Sequence, residues 1–136
     1  MSNVFLDTNI LVYTLDNNDP AKRDHCRKLL VTLRDAGSGV ISTQVLQEFY
    51  VVATKKLGVE APLAKSILHT LQNMTLVTVT PQLIDAAIDC SMLHQLSFWD
   101  ALIVVSAESA RCSELWTEDL NHGQIMQGVR VRNPMI

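Results

Sequence analysis

Ser97-Phe98-Trp99-Asp100-Ala101-Leu102-Ile103-Val104-Val105-Ser106-Ala107 decides the fold. From Phe98 to about Arg111 the pattern is helical and apolar almost all round, with one acid, Asp100, in the first turn. A helix without a polar stripe must be covered on every side, so this one is central. Working outward, Val4-Phe5-Leu6, Val40-Ile41, Leu76-Val77-Thr78-Val79, Glu114-Leu115-Trp116 and Val129-Arg130-Val131 are short runs suited to buried strands. Helices are predicted between them over residues 9–15, 20–36, 43–57 and 63–71, with Gly37 and Gly58 as stops. Another opens at Pro81, with Ile84, Ala87, Ile88 and Met92 expected to face inward. Strands separated by helices imply parallel pairing, hence an α/β fold: a three-layer α/β/α sandwich with a mainly parallel central sheet. No repeat, linker or low-complexity tract interrupts the chain, which reads as a single domain over 1–136.

Composition narrows the classes. Nearly half of the 136 residues are apolar and fewer than a fifth charged, a globular profile. The net charge of −3 makes the molecule no polycation, which argues against a nucleic-acid partner unless pooled acids hold a cation that reverses the local charge. Cys26, Cys90 and Cys112 are odd in number and have no close pair, so they read as buried reduced thiols. No apolar run reaches the length of a membrane span and no signal-peptide pattern opens the chain, so a cytoplasmic protein is expected.

In a parallel sheet, ligands gather beyond the carboxyl ends of the strands. Asp7 follows the first strand and Asp119 lies just past the fourth, in Thr117-Glu118-Asp119-Leu120. Asp100 enters the central helix, and Glu48 sits at the edge of the apolar face of the helix after the second strand. Taken singly, each has an ordinary explanation. Asp7 suits an Asx turn, Ser97 with Asp100 matches a capping box, and Asp119 and Glu48 suit solvated positions. Taken together they are less comfortable, since acids against apolar elements lose solvation and bunched carboxylates repel. A divalent cation resolves both problems, and oxygen donors suit Mg²⁺, or Mn²⁺ in its place, rather than zinc.

Other polar groups offer no rival centre. The four histidines lack metal-site spacing; His122, three residues past Asp119, is a candidate substrate-side contact. Arg23, Arg27 and Arg34 share one helix side, Lys55-Lys56 ends a helix, and Arg130 and Arg132 alternate on the last strand. No RNA track is assigned among them. An aspartyl-phosphate hydrolase normally carries a second Asp two residues after the first, where this chain has Asn9. A receiver-like module wants an acidic pair after strand one and a Lys after the last strand, and neither is present.

Asp7-Thr8-Asn9, Glu48, the Ser97-to-Ile103 stretch and Thr117-Glu118-Asp119-Leu120 resemble, in order and spacing, the four acidic motifs of PIN domains. The resemblance covers nearly the whole chain; Trp99-Asp100-Ala101-Leu102-Ile103 with Glu118-Asp119-Leu120 is its most specific part. It implies a metal-dependent endoribonuclease of the VapC-like kind, the toxin of a type II toxin–antitoxin pair. It further implies Asp7, Glu48, Asp100 and Asp119 as catalytic carboxylates, with Asp7, Asp100 and Asp119 on the metal and Asn9 and Thr117 as polar supports. The partners it implies are an RNA substrate, a cognate antitoxin and a second copy of the chain. A PIN-like module that binds RNA or a partner without cutting stays open as the alternative.

Overall fold

The computed structural model describes residues 2–136. In chain order it runs β1 (Val4–Leu6), α1 (Thr8–Tyr13), α2 (Pro20–Ala36), β2 (Gly39–Ser42), α3 (Thr43–Lys55), α4 (Ala61–Leu71), β3 (Thr75–Val77), α5 (Pro81–His94), α6 (Phe98–Ser109), β4 (Glu114–Trp116), β5 (Ile125–Met126) and β6 (Val129–Arg132). Local chemistry sets the boundaries. Pro20 occupies the first turn of α2 behind the Asp19 cap, and Gly37 closes that helix at φ 64°. The hydroxyls of Ser42, Thr80 and Ser97 accept from the N–H groups of Val45, Leu83 and Asp100, capping α3, α5 and α6.

The strand order is β3-β2-β1-β4-β6-β5, parallel throughout except for the β5–β6 pair. This is the expected α/β/α sandwich. From β1 the chain winds through β2 to β3; it then returns to β4 and winds the other way. Right-handed crossovers therefore assign α1–α4 to one face and α5–α6 to the other, and the winding reverses between β1 and β4. The expected central helix is central: Ala101 to Ala107 of α6 is one continuous buried run. β1, β2 and β4 are buried almost completely, as parallel strands covered on both faces should be.

Two expectations need correction. Ile84, Ile88 and Met92 do not face inward; they are exposed, at 42%, 45% and 68%. The buried line of α5 is Ala87 and Cys90, flanked by half-buried Leu83 and Ala86. Both lines have helical spacing, so periodicity does not choose between them. The small residues win because they let α5 lie close against α6. The hairpin strand β5 is also additional, a two-residue edge formed where Gln127 and Gly128 turn the chain at φ 53° and 77°. The three cysteines are buried and free, as expected. Among the described residues no single helix is long and apolar enough to cross a membrane.

Candidate active site

β1 and β4 run side by side in register, Leu6 opposite Trp116, and the Asp7 N–H donates to the Trp116 carbonyl at 3.1 Å. The residues just beyond both strands therefore meet at the point where the winding reverses. Asp7 is 7% exposed. It caps α1, its Oδ1 accepting from the Thr8 N–H at 2.7 Å, while its Oδ2 accepts from the Thr117 hydroxyl at 2.7 Å. Thr117 is fully buried. It gives its one proton to Asp7 and accepts from the Asp119 N–H at 3.0 Å and from Asn9 Nδ2 at 3.3 Å, which uses its whole bonding capacity.

Asn9 ties the acids together. Its Nδ2 lies 3.0 Å from Asp119 Oδ2 and 3.5 Å from Asp7 Oδ2. Carboxylates only accept, so these contacts fix the amide orientation and direct Oδ1 elsewhere. That oxygen is buried and has no partner among the described residues. Glu48 joins from α3, its Oε1 accepting from the Thr8 hydroxyl at 2.8 Å. Asp100 sits half-buried in the first turn of α6. The Ser97 hydroxyl accepts from its N–H at 3.1 Å, but among the described residues its carboxylate accepts no hydrogen bond. The return half of the capping box is thus not made.

All four acids line one open cleft of about 660 Å³, with Asn9, Gln44, Trp99 and Lys56 on its walls. Burial pushes the Asp7 carboxyl up from its ordinary 3.8 to about 6. The bonds from Thr117 and Thr8 oppose the rise, while the charges of Asp119 and Glu48 add to it. As the side chains stand, no group of three acid, histidine or cysteine side chains among the described residues is arranged to hold one ion. The oxygens of Asp7, Asp119 and Glu48 are instead engaged by Asn9 and Thr8 donors. In chemistry, however, the set fits a hard divalent cation. Every donor is a carboxylate oxygen, and Asp7 is ionised at neutral pH only against a desolvation cost.

Two residues of this region went unread in the sequence. Thr8 could have been suspected as a hydroxyl directly after a strand-end acid. Gln44 is 4% exposed, and its Nε2 donates to the Trp99 carbonyl at 3.1 Å, joining α3 to α6. Its only signal was a polar side chain in the first turn of a helix directly after a buried strand. His122 is absent from the cleft wall, and its Nδ1 accepts from the Asn133 N–H at 3.0 Å. The basic groups are mostly engaged: Arg23 by Asp24 and Asn17, Arg27 by the Thr14 carbonyl, Arg34 by Asp35, and Arg132 by Glu114.

Fold and site together define an α/β/α protein with an acid-lined cleft at the reversal point of its sheet. The chain belongs to the PIN domain family, whose model matches residues 4–125. No curated protein sequence matches it. Solved structures share its fold at low identity. The DNA-bound VapBC of Salmonella typhimurium superposes with a TM-score of 0.71 at 19% identity, over 98% of this chain and 99% of the other. A toxin–antitoxin complex from Klebsiella pneumoniae gives 0.68 at 23%, over 98% of each chain. VapC20 of Mycobacterium tuberculosis, described as a sarcin-ricin loop cleaving toxin, gives 0.67 at 19%, over 83% and 87%.

Proposed function

We propose that the protein is a metal-dependent endoribonuclease and the toxin of a toxin–antitoxin pair. One observation carries the reading: Asp7 and Asp119 are held by a common Asn9–Thr117 lattice, with Glu48 and Asp100 in the same cleft. Membership of the PIN family and the toxin–antitoxin origin of the structural neighbours support it.

Asp7, Asp100 and Asp119 would hold Mg²⁺ or Mn²⁺, which when bound supplies charge for a phosphodiester and lowers the pKa of water. Asn9 and Thr117 keep Asp7 and Asp119 oriented. Glu48 accepts the proton of the attacking water. The water's oxygen forms a bond to phosphorus as the P–O3′ bond breaks in line, and the departing O3′ takes a proton from solvent, leaving a 5′-phosphate and a 3′-hydroxyl. An antitoxin covering the cleft would hold the activity silent, and a second copy of the chain completes the expected assembly.

The test is cleavage of RNA with Mg²⁺ or Mn²⁺, compared with chelator, and end-group analysis of the fragments. Asp7→Asn and Asp100→Asn should each abolish cutting while the fold survives. Full activity of either variant after chelation and metal reloading sinks its assignment. The alternative, a module that binds without cutting, draws on the Asn9- and Thr8-engaged acids. Turnover with added Mn²⁺ eliminates it. Harmless unrepressed expression would end the toxin role.

A further inference from the structure

Trp99 is 62% exposed, although burying an indole is among the most favourable apolar transfers open to a chain. It lies on the cleft wall directly before Asp100. Its placement is firm. The Phe98 and Trp99 rings meet nearly perpendicular, 79° between planes and 5.1 Å between centroids. The buried Gln44 amide holds the Trp99 carbonyl, and because a carbonyl only accepts, that bond also fixes the amide's own orientation. Among the described residues Lys56, at the end of α3, is the one basic side chain on the cleft wall, and it has no acid partner there. The other walls carry carboxylates, which repel a phosphodiester, so an unpaired cation there has a distinct use.

We propose that Trp99 is a stacking platform for an unpaired nucleobase beside the scissile phosphodiester, and that Lys56 contacts a phosphate of the same strand. This rests on the reading of RNA as substrate. Every nucleobase has a π-face, so an exposed indole holds single strands with little regard to sequence, whereas bases in a duplex have their faces covered. Trp99 and Lys56 are positioning residues: they place the strand against the acids and take no part in bond making.

The test measures binding rather than turnover. A short labelled oligoadenylate is titrated into the full chain, once in chelator and once in Ca²⁺, following anisotropy and tryptophan emission. Trp116 is 3% exposed, so quenching reports on Trp99. Quenching by the single strand and much weaker binding of the matching duplex are expected. Trp99→Ala should weaken binding roughly 5- to 150-fold at unchanged melting temperature, and Trp99→Phe should recover most of the loss. Lys56→Gln should lower the slope of log affinity against log salt by about 0.7, a slope that Trp99→Ala leaves alone. Absence of quenching in both buffers overturns the platform, as does equal binding of duplex and single strand. An RNA affinity indifferent to Trp99→Ala also overturns it, and assigns the exposed indole to a protein contact. Failure to cleave with Mg²⁺ or Mn²⁺ would remove the ribonuclease reading without moving these binding curves.

Discussion

Thr117 donates one hydrogen bond and accepts two, and every partner lies in the acid lattice. Thr117→Val keeps the shape and removes all three bonds, leaving buried Asp7 short of a donor. A loss of about 1–3 kcal/mol is expected in urea unfolding, and a loss below a few tenths would show the lattice to be slack. Asp7 itself gives a pH signature. Its folded value of about 6 against an ordinary 3.8 means that the folded state holds the proton more tightly. Below 3.8 both states are protonated and the shift has no effect. As pH rises from 3.8 through 6 the unfolded state ionises first and stability falls, by about 3 kcal/mol in all from the two-unit shift, and stays level above. In chelator, Asp7→Asn should therefore match the wild type near pH 4 and exceed its stability above pH 6, since Asn also serves as a helix cap. Parallel pH profiles of the two proteins would show that Asp7 carries no such penalty.

At the scale of elements, α5 and α6 teach opposite lessons. The all-apolar run of α6 admitted one placement, and the helix is where the sequence put it. In α5, Ile84, Ile88 and Met92 compete with Leu83, Ala87 and Cys90 at the same period, and only the closeness of α6 decides between them. Asp7, Asp119 and Asp100 were legible because each follows a strand or opens a helix, and Glu48 because it breaks the edge of an apolar helix face. Thr8 and Gln44 were not, because their roles are bonds to residues about 40 and 55 positions away. The α5 face left outside carries its own prediction. If it forms the contact between two copies, Ile88→Glu with Met92→Glu should convert a dimer to a monomer in light scattering at little cost to monomer stability. A wild type that is already monomeric at high concentration would remove that role. At the start of α6, Ser97→Ala should cost about 1 kcal/mol by loss of the cap to Asp100.

For the whole molecule, the balance between acids and cation should be visible in melting curves. Added Mg²⁺ or Mn²⁺ at a hundredfold excess over its dissociation constant should stabilise the wild type by about 2–3 kcal/mol. Asp100→Asn should gain much less, and in chelator it should melt at or above the wild type, because Asp100 lines the same cleft as the other acids and among the described residues its carboxylate accepts no hydrogen bond. A variant that melts lower in chelator and keeps the full metal shift would reduce Asp100 to a favourable charge at a helix start, worth roughly 0.3–1 kcal/mol. The lattice joins Asp7 and Asn9 to Thr117 and Asp119 across about 110 positions of chain. A growing polypeptide on the ribosome therefore carries one half of the centre almost from the outset and lacks the other until synthesis has passed Asp119. Whatever chemistry the cleft performs, a nascent chain cannot begin it early: the order of translation delays the complete centre until the chain is nearly made.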